Sequence, residues 1–557
     1  MRKIYSLLTL FFAMLTVTGC EKLEDNNGMV EIFAESMTGS SKVLLDGPNA
    51  TWMDGDSIRL NSYTHAVQRI QGHAYISNTG LSNTTNYALY PASLEVTNWG
   101  TNTPTVTFPA YYHYRTNSSG QQILELPMAA YSTDNNPLQF KHLTGALYIT
   151  VTNTYTHPVT LHSVTVTSSN HQLCGKRQIN MDHLENISGV SSTNNKSVCM
   201  LFDTGYTLAQ NESVRVMIPV LPVDSANRFN VIVKSHTENQ PKMNQFSKLQ
   251  PSDRNNSLAR NELGYAPASL SSSDGTTNIL SNNEIRTPFD FYLMTKWLSS
   301  ATYKMVADVD MTGLPVSPIT NSGVTINGAG HTVSNLTING TKIGNEVFCA
   351  LFKSSGATIQ NITFNNLRLV NEGVGSSTLY VGAIEACNNT STKSISNCVV
   401  NIGSFSNGGA IGDVYFGGLI GFINGTDLTL TNCSVAMPAI TVGGADVFWG
   451  GFVGSYGGSN KRAIINSSSW TGTITLNATN NVNAGGFFGY KYTGAVNATG
   501  GSVSGTVSAY STGSSRYVGS IVGRFNSPTG ERTVTTTGFS AMMNGTPYSV
   551  GEVGVNY

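Results

Sequence analysis

The stretch Phe416-Gly-Gly-Leu-Ile-Gly421 decides the fold of the second half of this chain, because close copies of it return three times. The later copies are Trp449-Gly-Gly-Phe-Val-Gly454, Ala484-Gly-Gly-Phe-Phe-Gly489 and Val518-Gly-Ser-Ile-Val-Gly523. Two looser copies come earlier, Phe348-Cys-Ala-Leu-Phe352 and Val381-Gly-Ala-Ile384. The third positions of the six copies are 33, 35, 33, 35 and 34 residues apart. This regular spacing predicts one structural unit repeated along the chain.

A second marker has nearly the same period. It is an asparagine, found at Asn361, Asn397, Asn432, Asn466 and Asn497, with separations of 36, 35, 34 and 31 residues. A period in the thirties with few helix-forming residues favours a β-solenoid, in which each coil buries its apolar side against its neighbours. Paired glycines would allow close approach of backbones, and aligned asparagines would form hydrogen-bonded ladders. A β-propeller is the competing fold, although its blades usually need about 40 to 45 residues.

The repeats resemble the GLUG repeats of bacterial surface adhesins. The segments Tyr303-Lys-Met-Val-Ala-Asp-Val-Asp310 and Ile326-Asn-Gly-Ala-Gly-His331 are similar to the usual lead-in to such repeats. The resemblance implies a right-handed parallel β-helix, which we assign to residues 285–557, with an adhesive role and no fixed ligand. We expect Thr287-Pro288 to open a short capping helix that runs through Leu298.

The first half of the chain is predicted to consist of β-sandwiches. Short segments with alternating apolar residues, such as Ala146-Leu-Tyr-Ile-Thr-Val151, are separated by turn residues such as Asp54-Gly55-Asp56. Alternation with period two places one side of a strand on a core and the other in water.

This half resembles the fimbrillin-like proteins of Bacteroidetes surface fimbriae. The similar segments, in chain order, are Lys42-Val-Leu-Leu-Asp-Gly47, Trp52-Met-Asp-Gly-Asp-Ser-Ile58, Tyr87-Ala-Leu-Tyr-Pro-Ala-Ser93, Leu126-Pro-Met-Ala-Ala130, Leu138-Gln-Phe-Lys-His-Leu143 and Val216-Met-Ile-Pro-Val220. The resemblance implies two tandem transthyretin-like sandwiches, at 28–145 and 146–265, in an all-β chain. It also implies partnership with fimbrial subunits by β-strand addition. In such assembly the first strand is removed at an arginine, but the first arginine after Cys20 is Arg59, inside a predicted strand, which favours a terminal accessory or a permanently anchored protein.

The N-terminal segment predicts export and lipid anchoring. Residues 1–20 have a basic start, an apolar stretch and the ending Val17-Thr18-Gly19-Cys20, which resembles the lipobox of bacterial lipoproteins. Cys20 is therefore the expected lipidation site, with a polar tether at 21–28 and the outer membrane as partner. A Ser-rich stretch predicts a linker at 266–284 between the sandwiches and the repeats.

Composition excludes some functions. Charged residues make up 11% of the chain and the formal net charge is −1, so nucleic acid is not an expected partner. The six cysteines after Cys20 have no close spacing typical of zinc sites and are expected to be buried thiols. Of these, Cys398 and Cys433 each follow a marker asparagine, so we expect them to stack about 4.8 Å apart.

Few residues of the repeats suggest chemistry, and we expect neither an enzyme nor a cofactor. Asp413 and Asp446 are the one near-matched acidic pair, which could bind calcium or act as paired carboxylates, but turn aspartates need no function. Several aromatic residues gather around the repeat marker. Of these, Tyr415, Trp449 and Tyr490 are candidates for ligand binding, with stacking inside the solenoid as the alternative.

The combined prediction is a cell-surface adhesin or a fimbrial tip or accessory subunit, lipid-anchored to the outer membrane. It would bind a surface glycan or a protein through the C-terminal β-helix. The alternative is a carbohydrate-binding or polysaccharide-degrading β-helix protein.

Overall fold

The computed structural model describes residues 28–556 with gaps. The signal segment, Cys20 and most of the tether lie outside the described residues. The gaps are 36–37, 40–51, 117, 119, 121, 134–136, 169, 190–195, 224–228, 238–239, 250–257, 271–276, 281–282, 297–301, 321–323, 355–357, 372–374, 389–392, 410–411, 514, 527–531, 539, 544–545, 548–552 and 554. Two compact units divide the chain, residues 1–280 and 281–557.

The first unit contains 24 described strands. They are β1 Met29–Ala34, β2 Thr38–Gly39, β3 Ser57–Leu60, β4 Tyr63–Ala66, β5 Gln68–Ile70, β6 His73–Ser77, β7 Asn86–Tyr90, β8 Val96–Thr97, β9 Thr105–Phe108, β10 Tyr111–His113, β11 Arg115–Thr116, β12 Gln122–Ile123, β13 Met128–Ser132, β14 Leu138–His142, β15 Gly145–Thr152, β16 Val159–Ser168, β17 Gly175–Ile179, β18 Ile187–Gly189, β19 Ser197–Leu208, β20 Ser213–Val220, β21 Phe229–Thr237, β22 Gln240–Leu249, β23 Glu262–Ser269 and β24 Thr277–Leu280.

The first core lies inside a curved sheet of eight strands, in the order β4-β3-β7-β13-β14-β1-β6-β5. Side chains from distant strands of this sheet, such as Ile58 and Ile76, belong to one buried cluster with Phe140, so the sheet must curve around it. The outer side of β7 and β13 packs against a second sheet, β18-β17-β9-β8, around Leu89 and Phe108. Alternating apolar residues therefore place two layers here, as expected for a sandwich.

A second sandwich follows. The sheets β2-β23-β15-β20 and β10-β19-β16-β21-β22-β24 contribute to one large core that includes Ile149, Val164 and Val216. Strands near the expected boundary at 145 pair across it: β10 pairs in parallel with β19, and β17 pairs with β9. Alternation indicates that a segment is a strand, but it does not indicate which strand is its partner.

The second unit contains one described helix and 28 described strands. They are β25 Glu284–Ile285, α1 Pro288–Lys296, β26 Thr302–Met305, β27 Val309–Asp310, β28 Thr325–Asn327, β29 Thr332–Ser334, β30 Thr337–Asn339, β31 Thr341–Ile343, β32 Glu346–Cys349, β33 Thr358–Val370, β34 Thr378–Val381, β35 Glu385–Asn388, β36 Lys393–Ser406, β37 Val414–Gly417, β38 Ile420–Ile423, β39 Leu428–Thr431, β40 Ser434–Gly444, β41 Val447–Gly450, β42 Val453–Tyr456, β43 Ala463–Ala478, β44 Asn481–Gly485, β45 Phe488–Lys491, β46 Val496–Ser511, β47 Ser515–Gly519, β48 Val522–Phe525, β49 Val534–Thr537, β50 Ser540–Met543, β51 Thr546–Pro547 and β52 Val555–Asn556.

These strands form a parallel β-solenoid of about six turns, which confirms the all-β class and the repeat prediction. Each coil passes from the large sheet, for example in β36, to β37 in an eight-stranded sheet, to β38 in a five-stranded sheet, and back to β39 in the large sheet. The repeat markers lie in register: Phe416 pairs with Trp449, Trp449 with Ala484, and Ala484 with Val518. The period read from the sequence is thus the length of one coil.

The asparagine ladder is confirmed in the first coils. The side-chain amide of Asn361 donates to Asn327 at 3.1 Å, Asn397 donates to Asn361 at 2.8 Å, and Asn432 donates to Asn397 at 3.0 Å. The residues Asn361, Asn397 and Asn432 have φ of 55°, 52° and 52°, in the left-handed region that asparagine tolerates well.

Two of the predicted marker asparagines are out of register, which corrects the alignment. Asn466 pairs with Thr431 instead of Asn432, and Asn497 pairs with Ile464. The position that Asn361, Asn397 and Asn432 take in the earlier coils is a corner of the coil, and in these coils it is occupied by Ser467 and Gly500, whose φ values are 48° and 66°. The fold requires a positive φ at this corner, and several residue types satisfy that requirement, so the residue type alone misplaced the marker.

The expected linker at 266–284 also needs correction. It begins inside β23, which pairs with β15, and includes β24, which pairs with β22. These residues form strands because they pair with strands that are distant in sequence, although their Ser-rich composition predicted a loop. The predicted helix is present as α1, and its first turn is held by Asp290, which accepts the backbone N–H of Thr287 at 2.8 Å.

An ion pair lies inside the solenoid. The Nζ of Lys393 is 2.9 Å from Oε2 of Glu385, and the two side chains are 2% and 0% exposed. In the next coil the same register positions hold Ile420 and Leu428. A charged pair therefore replaces an aliphatic pair in one layer of an otherwise apolar stack.

The stacking of Cys398 and Cys433 is confirmed by the register of β36 with its neighbours. Both are buried thiols, and each donates to a backbone carbonyl of the preceding coil, Cys398 to Ile359 at 3.7 Å and Cys433 to Ile395 at 3.5 Å. Their positions indicate a packing role.

Candidate ligand-binding surface of the solenoid

An outward file of side chains runs along the eight-stranded sheet. Alternation within β37 explains its origin, because Val414 and Phe416 are fully buried in the core whereas Tyr415 between them points to the other side. The same register position is taken, coil after coil, by Phe348, Tyr380, Tyr415, Phe448, Asn483 and Tyr517.

A second file runs along the five-stranded sheet and faces the first. Its members are Cys387, Phe422, Ser455, Tyr490 and Arg524. Ring contacts connect the two files: Tyr415 meets Phe422 edge-on at 5.5 Å, and Phe448 meets Tyr490 edge-on at 5.5 Å. We call the five aromatic residues Tyr380, Tyr415, Phe422, Phe448 and Tyr490 the aromatic wedge.

The glycines of the repeat marker bring the two sheets together. A Cβ placed on Gly417 would lie 1.9 Å from the carbonyl oxygen of Ile420, and one on Gly454 would lie 2.6 Å from the backbone nitrogen of Phe416. No side chain can occupy such space. The marker glycines are therefore required for the turn and the sheet packing that form the wedge.

Tyr415 lies in the middle of a ring stack. Its ring is 5.1 Å from Tyr380, with an interplanar angle of 13°, and 4.7 Å from Phe448, with an angle of 4°. Both faces of the Tyr415 ring are thus covered, so a sugar cannot stack on them without displacing a neighbour. Burial raises the pKa of the hydroxyl to about 12, which leaves it protonated at neutral pH.

Trp449 is removed from the candidate surface. Its side chain is fully buried and packs against Trp470 with ring centroids 5.0 Å apart, on the core side of β41. For Trp449 the alternative of stacking inside the solenoid is therefore the correct one; Phe448 and Trp449 are adjacent, and only the strand phase decides which of the two points outward.

Tyr490 occupies the end of the wedge. It is half-buried, and burial raises the pKa of its hydroxyl. Its register partner in the next coil is Arg524. Of the three aromatic candidates predicted from sequence, Tyr490 therefore has the position best suited to contact a ligand.

Asp413 and Asp446 stack on adjacent coils, but their carboxylates bind backbone. The N–H of Asp446 donates to Oδ1 of Asp413 at 3.3 Å, and both the N–H and the side-chain amide of Asn481 donate to Oδ1 of Asp446, at 2.9 and 2.8 Å. Burial raises the pKa of Asp413. No group of three metal-ligating side chains occurs in the part of the chain that the structure describes. The two aspartates therefore act as hydrogen-bonded links between adjacent coils.

Sequence reasoning missed Tyr380, Asn483 and Arg524. Asn483 is 1% exposed, and its Oδ1 has no hydrogen-bond partner. The guanidinium carbon of Arg524 lies 4.6 Å from the ring centroid of Tyr517. An alignment of the coils on the Gly-Gly marker would have placed these residues in the same files as Tyr415 and Tyr490.

Within the described residues no helix has the length and apolar character needed to cross a membrane. No protein-family model matches the chain, and no curated protein matches it. The resemblance to fimbrillin-like proteins and to GLUG repeats therefore remains a prediction.

Several solved structures match at low similarity. A candidate cell adhesion protein from Bacteroides ovatus is 14% identical with a TM-score of 0.28, covering 45% of this chain and 94% of its own. One from Bacteroides uniformis is 14% identical with a TM-score of 0.26, covering 46% and 97%. A candidate immunoglobulin A1 protease from Bacteroides ovatus is 15% identical with a TM-score of 0.34, covering 48% and 79%.

Proposed function

We propose that this chain is a cell-surface adhesin that binds a glycan through the outer face of its solenoid. The observation that carries the proposal is the end of the aromatic wedge, where Phe448 is followed in its file by Asn483 and Tyr490 is followed by Arg524. Aromatic rings beside a few convergent polar groups are typical of sites that hold small polar ligands.

The acidic residues of the solenoid favour binding of a glycan without its cleavage. A glycosidase needs two carboxyl groups on either side of the scissile bond. Asp413 and Asp446 instead accept hydrogen bonds from the backbone of adjacent coils.

A glycan array probed with the purified full chain tests the proposal. We expect retention on a subset of glycans, weakened by Tyr490→Ala. Tyr510→Ala is the matched control, because Tyr510 is 57% exposed on the large sheet, away from the wedge. Absence of binding to every glycan, or equal loss in both variants, would refute the proposal. Release of reducing ends from a polysaccharide panel, lost in Asp413→Asn, would support the alternative of a polysaccharide-degrading enzyme.

The proposal includes lipid anchoring at Cys20 and a terminal or accessory position on a fimbria. Because β1 lies between β14 and β6, a fimbrial partner could add a strand at this position only after β1 is removed. Arg59 pairs on both sides, with β4 and β7, which supports a chain that keeps its first strand. Immunogold labelling at fimbrial ends or on the cell surface is the expected result, and uniform labelling along the shafts would contradict it.

A further inference from the structure

The end of the aromatic wedge differs from its middle in the chemistry of its side chains. We define the terminal cluster as Phe448, Asn483, Tyr490, Tyr517 and Arg524. In the earlier coils the first file holds stacked rings, but after Phe448 the next position is an asparagine. In the second file Arg524 follows Tyr490. Stacked rings therefore give way to hydrogen-bonding groups within two coils.

Asn483 is an unusual residue for this position. Its side chain is 1% exposed, and its Oδ1 accepts no hydrogen bond. A buried acceptor without a donor is unfavourable, because it has lost its hydrogen bonds to water and gained none in return. A ring would continue the stack without this cost, as Tyr415 and Phe448 do in the preceding coils. The unmatched acceptor points to a ligand that supplies a hydroxyl or N–H donor.

Arg524 offers hydrogen-bond donors, whereas Oδ1 of Asn483 is an acceptor. Its guanidinium stacks over the ring of Tyr517, with 4.6 Å between the guanidinium carbon and the ring centroid. Among the described residues, no carboxylate forms an ion pair with it. A stacked guanidinium retains its in-plane N–H donors for a second group, and their fork matches a carboxylate.

Together these groups define one ligand chemistry. We propose that the terminal cluster binds a sugar residue that carries a carboxylate, as uronic acids do. Arg524 binds the carboxylate, Asn483 accepts a sugar hydroxyl, and Tyr490 and Phe448 contact the C–H edges of the sugar. This inference rests on the proposed glycan-binding function and specifies its ligand class.

The test uses the full chain and two forms of one probe. The first is a tetrasaccharide of alternating glucuronic acid and N-acetylglucosamine, and the second is the same tetrasaccharide with its carboxyls reduced to alcohols. Isothermal titration is expected to give a Kd for the carboxylate form about tenfold or more below that of the reduced form, the range expected for a hydrogen-bonded charge. Equal affinity for the two forms would overturn the inference.

Variants assign the preference to the cluster. Arg524→Gln should remove the difference between the two forms, and Asn483→Leu should weaken both. Arg368→Gln is the control for charge, because Arg368 is exposed on the large sheet, and it should change neither Kd. Arg524→Lys keeps the charge but not the fork, so a partial loss is expected even if Arg524→Gln is poorly folded. A preference unaffected by both Arg524 variants would contradict the assignment.

Other outcomes separate this inference from the proposed function. Binding to neutral glycans on the array, sensitive to Tyr490→Ala but without preference for the carboxylate form, would refute the ligand class alone. Absence of binding to any glycan would refute both.

Discussion

Variants of the buried ion pair of the solenoid should show that removal of one partner lowers the free energy of unfolding, whereas removal of both partners does not. Lys393 and Glu385 are almost completely buried, with 2.9 Å between Nζ and Oε2. Replacing one partner leaves an uncompensated charge in an apolar layer. Glu385→Ile and Lys393→Leu should therefore each lower the free energy of unfolding by about 3–5 kcal/mol.

The double replacement should have the opposite outcome. Later coils already pack aliphatic or aromatic residues at the same two positions, Ile420 with Leu428 and Phe488 with Val496. The double variant Glu385→Ile, Lys393→Leu thus copies a layer that the fold already contains. It should be as stable as the parent chain or more stable by about 1–4 kcal/mol, because desolvation of two charges is avoided.

Equilibrium unfolding in guanidinium chloride, followed by circular dichroism of the β-sheet signal, measures these values. The exposed pair Lys176–Glu95, with side chains 53% and 64% exposed, is the control. Lys176→Gln should change stability by no more than about 1 kcal/mol. A double variant as unstable as the single variants would refute the reasoning, because it would mean that the layer requires the ion pair for its packing.

Four further predictions concern backbone, ladder, pH and thiols. Gly451→Ala should destabilise the solenoid by about 1–3 kcal/mol or more, because its Cβ would lie 2.1 Å from the carbonyl oxygen of Gly486. Gly443→Ala is the control in the same denaturation assay. It should be almost neutral, because the atom nearest to its Cβ would be 3.5 Å away. Asn397→Ala removes two ladder bonds and places alanine at φ 52°, so a loss of about 2 kcal/mol is expected, with Asn397→Gly losing less. Burial lowers the pKa of His162 to about 4, below the ordinary 6.5, so between these pH values the unfolded chain binds a proton that the folded chain does not. The free energy of unfolding should therefore fall by up to about 3 kcal/mol as the pH drops from 6.5 to 4. A pH series in which His162→Gln keeps the same slope would contradict this. The six described cysteines are buried, and burial raises the pKa of Cys174 and of Cys349 to about 12, so Ellman's reagent should label none of them until denaturant is added.

Much of the solenoid follows from local chemistry, which is why it was predictable. The marker glycines and the alternation around Tyr415 act within a few residues, and the period of the marker equals the length of one coil. Predictions failed where a choice depended on strand phase or on distant partners. Trp449 and Phe448 both look like surface candidates, but the pleat buries the first and exposes the second in part.

The sequence by itself determined the all-β class, the solenoid, the coil length and the stacking of Cys398 on Cys433, because each depends on a periodic pattern that every coil repeats. Only the tertiary structure decided the pairing of β10 with β19, the apposition of Glu385 and Lys393, and the contacts of Phe448 with Tyr490 and of Tyr517 with Arg524. These contacts join residues of different strands or coils. Their geometry depends on how sheets pack against one another, and neither residue type nor spacing contains that information.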